Sequence, residues 1–172
     1  MSSAIGTGAP EAWAYSYVAP AIPFLEKGRT RDAGCDCWGI IRLGYQEQAG
    51  IALPAFTEGY PDTKDTELLA ALIHRERQDL PFRPVAERMP GESLAGFHRR
   101  LAPMIRPMDV LLLPIMGDLC HVGLACGGGQ FIHTEVGVDC RINAFAGQRA
   151  ERWAIRLAEG GAWRHRDLEG RL

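Results

Sequence analysis

Beyond Pro107 the chain divides into short apolar or alternating runs, Val110 to Ile115, Cys120 to Cys126, Gln130 to Thr134, Val136 to Ile142 and Trp153 to Leu157, separated by Gly and Asp. Runs of this length with a period of two are strands, and the short connections between them suit hairpins better than parallel crossovers. The second half is therefore read as an antiparallel meander.

The first half has a different period. From Cys37 the apolar residues Trp38, Ile40, Ile41, Leu43 and Tyr45 recur near i, i+3 and i+4 up to Ala49, and Gly50 supplies a stop, which predicts a helix. A second helix is expected from Asp65 or Thr66 to Arg77, with acidic residues in its first turn. Phe82 to Pro107 carries four prolines and reads as irregular, with one short helix at Ser93 to Arg100. Helices first and sheet second define an α+β fold. With no linker or repeat in view, residues 1–172 are read as one domain, with a core at about 23–157 and a flexible tail after 160.

Composition removes several function classes. Nineteen basic residues against 21 acidic ones leave a net charge of −2, so there is no footprint for sequence-independent nucleic-acid binding. No run approaches the roughly 20 apolar residues of a spanning helix. The N-terminus lacks a basic leader and is broken by Pro20 and Pro23, so it does not read as a signal peptide and synthesis in the cytoplasm is expected. Five cysteines in such a compartment stay reduced.

Chemistry concentrates at Gly34-Cys35-Asp36-Cys37-Trp38-Gly39. A cysteine in the first turn of a helix meets unpaired backbone N–H groups and the positive end of the dipole, which favour a thiolate. A nucleophilic Cys37 still needs a base, and His121 and His133 flank the glycine-rich turn at Cys126 to Gln130. An odd loop between their strands puts both rings on one face, where His121 acts as base and His133 orients it; an even loop separates them.

Four segments together resemble the NlpC-type cell-wall cysteine peptidases: Asp36-Cys37-Trp38-Gly39-Ile40-Ile41, then Pro107-Met108-Asp109-Val110-Leu111-Leu112, His121-Val122-Gly123-Leu124 and Gly129-Gln130-Phe131-Ile132-His133. Arg42, Tyr45 and Gly50-Ile51-Ala52-Leu53-Pro54 are similar to the branch found in bacteriophage tails and gene transfer particles. The resemblance implies a papain-like fold with helices packed on the sheet. It also implies hydrolysis of amide bonds in peptidoglycan stem peptides, often γ-D-glutamyl to diamino acid, without a cofactor or metal. Carried over, Cys37 is the nucleophile, His121 the base and later acid, and His133 the third polar member. Asp36, Trp38 and Phe24 lie toward the substrate, Phe24 standing where the family often has Tyr. Met108 replaces the usual Gly before the strand Asp. Phage-tail proteins are the expected partners, and a phage-like particle the expected location.

Two other readings compete. Cys35, Cys37, Cys120, His121, Cys126, His133 and Cys140 could supply a zinc site, although the Cys-x-Cys spacing is unusual and Cys120 and His121 point to opposite faces. A tail assembly protein could keep the fold without the activity. Otherwise Cys35, Cys120, Cys126 and Cys140 are packing residues, and His74, His98 and His165 belong to the surface.

Overall fold

A computed structural model describes residues 8–56, 81–115, 118–148 and 150–169. The helix expected at 65–77, and His74 with it, lie outside the described residues. In chain order the elements are α1 (Ala12–Val18), β1 (Arg29–Thr30), β2 (Gly34–Cys35), α2 (Cys37–Gly44), β3 (Phe82–Pro84), α3 (Leu94–Leu101), β4 (Val110–Ile115), β5 (Asp118–Gly127), β6 (Gln130–Glu135), β7 (Val138–Ala144), α4 (Glu151–Gly160) and β8 (Ala162–His165). Strands β3-β8-β4-β5-β6-β7 form one six-stranded antiparallel sheet, and β1-β2 a small ribbon beside it. The α+β class and the antiparallel sheet are as expected.

Helix α2 begins where its cap lies. The Asp36 side chain accepts from the Gly39 N–H at 2.7 Å, satisfying one of the free donors of the first turn. The helix widens into a π-helical turn at Tyr45–Ala49 and stops at Gly50, whose φ of +67° is the left-handed value that glycine adopts at low cost. Gly39 is needed for a different reason: a Cβ there would collide with the Gly28 carbonyl, so this glycine lets the β1 entry press against the first turn of α2.

Both faces of the sheet are buried. Val110, Leu112, Val122, Leu124, Cys126, Ile132 and Cys140 pack with Ile40, Ile41 and Tyr45 of α2, whereas Leu111, Leu113, Ala125 and Phe131 pack with Phe97 of α3 and with Trp153 and Leu157 of α4. Even-numbered strand residues thus face α2, and odd-numbered ones face α3 and α4, the two-residue alternation of a pleated sheet.

Four expectations are corrected. Trp153 to Leu157 is part of helix α4 and not a strand: Trp153 and Leu157 are buried, while Ile155 between them is 57% exposed. The residues that go inside are Ala150, Trp153, Leu157 and Ala158, which is helical spacing. Nor are residues 161–169 a loose tail. Strand β8 lies between β3 and β4, with Trp163 opposite Val110, and Leu168 closes the core beyond it. The core also extends before residue 23, since Ala14 and Tyr17 of α1 are fully buried, and part of the segment read as irregular is β3.

Met108 adopts φ +73°, a value that favours glycine, while its side chain is buried in the core and its carbonyl accepts from the Tyr45 hydroxyl at 2.7 Å. Next to it, buried Asp109 receives both Nε and Nη2 of Arg164 (2.8 and 2.7 Å) and the Arg106 N–H (2.8 Å). Burial nevertheless leaves the Asp109 carboxyl raised, the Arg164 fork pulling against it. Such a pair fixes geometry more than it adds stability. Asp109→Ala, which strands the guanidinium, is expected to lower the unfolding free energy by about 3 kcal/mol. The double variant Asp109→Leu/Arg164→Met should lie within about 1 kcal/mol of wild type; urea titrations of the three proteins measure both.

Candidate active site

Cys37 is the first residue of α2 and is partly exposed. The other described thiols are buried: burial, aided by the Asp36 carboxylate, pushes Cys35 up to about 11, and burial pushes Cys126 and Cys140 each up to about 12. At pH 7 a thiol at about 11 is ionised only to about one part in 10⁴, and only the thiolate attacks. Cys37 is therefore expected to alkylate with iodoacetamide well ahead of Cys35, Cys126 and Cys140, read site by site in a mass spectrometer. Faster labelling of Cys35 or Cys140 would remove Cys37 as the nucleophile.

Asp36 is buried, caps the helix and pairs with Arg29 at 2.6 Å. It sets the helix start, one residue before the thiol. Trp38 is half-buried, donates its ring N–H to the Pro54 carbonyl at 2.8 Å and lies against Phe56, ring centroids 5.4 Å apart. Phe24 is half-buried; its backbone pairs with Cys35, and its N–H donates to Asp139 at 3.1 Å.

The two histidines meet. His121 Nε2 and His133 Nδ1 are 2.9 Å apart, and His133 Nε2 lies 2.7 Å from the Asn143 amide. The turn between β5 and β6 holds two residues, an even number, so simple pairing from Gly127↔Gln130 would have split them. Instead the register shifts between Gly127↔Gln130 and Ala125↔Phe131, leaving Cys126 as an extra residue, and this bulge restores a common face. Asn143 joins from β7 because it lies opposite Phe131. No local pattern marks it, since a polar residue in a strand acquires a partner only through register.

The pair is deeply placed, with Phe131 and Trp153 against His133, ring centroids 4.9 and 5.0 Å away, and Trp153 6.2 Å from His121. Burial, with Arg152 and Arg156 adding repulsion, pushes His121 down to about 3; burial and His121, with Arg141 and the same two arginines, push His133 down to about 2. Both imidazoles are therefore neutral at pH 7. The Asn143 Nδ2–H donates to His133 Nε2, so the neutral His133 donates Nδ1–H to His121 Nε2 and His121 carries its own hydrogen on Nδ1; turning the amide over reverses this relay and frees His121 Nδ1 as a base.

Cys37 is not part of this group. It packs on the even-numbered side of the sheet with α2, and the histidines project from the odd-numbered side toward α4. The structure assembles His121, His133 and Asn143 but does not bring the thiol to them. The same division splits the candidate zinc set, since Cys35, Cys126 and Cys140 share the α2 side; the side chain of Cys120 lies outside the described residues. His121, His133 and Glu135 offer donor atoms within 4.8 Å of one another, yet Arg152 is 3.8 Å from Glu135 and the arginines that depress both histidines oppose a cation there. His98 and His165 are not free surface residues: His98 Nε2 lies 2.7 Å from the Phe145 carbonyl, and His165 is buried against Tyr45 and Phe82. Among the described residues no helix is long and apolar enough to cross a membrane.

The profile of the NlpC/P60 family matches residues 22–159 of the chain. Among solved structures, the crystal structure of the NlpC/p60 domain of the peptidoglycan hydrolase SagA is similar at 21% identity, covering 77% of this chain and 84% of that one with a TM-score of 0.42. No curated protein matches the chain.

Proposed function

The chain belongs to the NlpC/P60 family, and on that premise we propose that it is a cysteine peptidase that hydrolyses amide bonds in peptidoglycan stem peptides, with γ-D-glutamyl to diamino acid as the bond. The observation that carries the reading is the partly exposed thiol of Cys37 at the capped N-terminus of α2, in a chain whose family profile spans both the thiol and the histidine motifs. In this reading the Cys37 thiolate adds to the amide carbonyl, and the Cys37 N–H at the helix end steadies the developing oxyanion. His121, having taken the thiol proton, returns it to the leaving amine. Water then releases the acyl group with His121 as base. His133 and Asn143 hold the ring of His121 in one tautomer.

Such chemistry needs the thiol within hydrogen-bond reach of His121, whereas α2 lies on the other face of β5. That separation favours a second reading, a scaffold domain that keeps the family fold without hydrolysis. We further propose, from the Gly34 to Gly39 motif with Arg42, Tyr45 and Gly50 to Pro54, that the protein works as a tail component of a phage-like particle, opening the cell wall locally. The test is digestion of purified peptidoglycan by wild type and Cys37→Ser, with released fragments weighed by mass spectrometry. Fragments ending in free γ-D-glutamate with wild type alone are expected. Intact peptidoglycan with both proteins would leave the scaffold reading.

A further inference from the structure

We infer that Arg29 is a positioning residue for Cys37, holding the first turn of α2 in place and offsetting the carboxylate that adjoins the thiol. The inference rests on Cys37 as the reactive thiol, whatever bond that thiol cleaves. Arg29 is the junction of three segments. Its Nη1 donates to Asp36 Oδ1 at 2.6 Å and to the Gly28 carbonyl at 2.7 Å, and its Nε donates to the Ala55 carbonyl at 2.8 Å. Its side chain is 10% exposed and that of Asp36 1%, so the pair is shielded from solvent.

The segment it grips is fastened at three successive carbonyls. Leu53 accepts from Arg42 Nε at 2.8 Å, Pro54 from Trp38 Nε1 at 2.8 Å and Ala55 from Arg29 Nε. Arg42 and Trp38 belong to α2, on either side of its first turns. Residues 53–55 are thus strapped along the helix that carries the thiol, and Arg29 closes the strap at the end nearest Asp36.

The electrostatic part follows from adjacency. Asp36 precedes Cys37, and a bare carboxylate at about 6 Å in a partly buried setting disfavours a thiolate by about one pKa unit. Arg29 neutralises that carboxylate and leaves the positive helix end to act on the sulfur. The other charged and titratable groups around this turn among the described residues are Arg31 and Glu47, which are paired with each other at 2.6 Å, Arg42 on α2 itself, Cys35 on β2, and Cys140 on β7. Arg29 is the cation bonded to Asp36 itself.

The test is the pH dependence of Cys37 alkylation by iodoacetamide, resolved by site, in wild type, Arg29→Gln, Arg29→Lys and Arg29→Gln/Asp36→Asn. Arg29→Gln is expected to move the midpoint up by about one pH unit, which slows labelling at pH 7 about tenfold. The double variant removes the carboxylate while Asn still caps the helix, so its labelling should return to within about twofold of wild type. An unchanged midpoint in folded Arg29→Gln, or a double variant as slow as the single one, overturns the inference. If circular dichroism shows Arg29→Gln unfolded, Arg29→Lys and the double variant decide: both within about twofold of wild type supports the role, and either slowed tenfold refutes it. Because the readout is thiol reactivity, absence of peptidoglycan hydrolysis by wild type would sink the peptidase reading without touching this one.

Discussion

His121→Ala is expected to remove at least about 10³-fold of the hydrolysis shown by wild type, because the thiol loses its activating base and the leaving amine loses its proton donor. His133→Ala should cost less, on the order of 10 to 1,000-fold, by freeing the ring of His121 to turn. His133→Gln should recover part of that, since a side-chain amide can still hydrogen-bond the ring of His121. Burial changes how these variants are read. Both rings pack against Trp153 and Phe131, so each alanine also opens a cavity and is expected to lower stability by about 2 kcal/mol. Turnover is therefore compared below the melting range of every variant. Cys37→Ala, at a partly exposed position, removes the activity with little loss of stability. Retained turnover in folded His121→Ala would refute the trio and leave the histidines as part of the α4 core.

A cross-linking experiment addresses the separation directly. In His121→Cys, a disulfide to Cys37 forms only if the two Cα atoms come within about 7 Å. Loss of activity in His121→Ala together with that disulfide would mean that α2 presents its N-terminus to the odd-numbered face when the protein works. Loss without the disulfide would assign the defect to the packing of α4.

Which face α2 covers is the feature the sequence conceals, and the cause is physical. Leu111 and Leu113 are as apolar as Val110 and Leu112, because both sides of β4 are buried. A strand buried on both faces carries no alternation from which to choose a side. The start of α2 at Cys37, its stop at Gly50 and the span of β4 were legible, since each is fixed locally by a cap, a glycine or a proline. Helix α4 was misread because Trp153, Ile155 and Leu157 alternate over five residues, and only the longer pattern through Ala150 and Ala158 shows the helical period. The meeting of His121 with His133 depends on one bulged residue, Cys126, which no spacing rule anticipates. Arg29 carries no sequence signature for a similar reason: its three acceptors come from Gly28, Asp36 and Ala55, which only the folded chain gathers.

Lowering the pH from 7 to 5 is expected to destabilise the protein by about 4 kcal/mol, enough to bring a domain of ordinary stability close to unfolding. The two neutral histidines set the direction. In the unfolded chain each binds a proton below about pH 6.5. In the folded protein burial pushes His121 down to about 3 and His133 to about 2, so neither protonates over this range. The unfolded state then holds more protons, and stability falls as pH drops below the unfolded value, by about 1.4 kcal/mol per unit for each ring. His165, pushed down by its own burial, acts in the same direction. Asp109, with its carboxyl raised by burial, acts the opposite way. Urea titrations at pH 7, 6 and 5 measure the slope, and His133→Gln should reduce it by roughly half. A midpoint that does not move between pH 7 and 5 would mean that the rings are solvated, as they are when they line an open cleft with a thiol, and would contradict their burial against α4. The acid slope and the Cys37 to His121 disulfide are thus expected to be mutually exclusive: a steep slope belongs to the arrangement with α2 and the histidines on opposite faces, and a flat one to an arrangement in which the trio is joined.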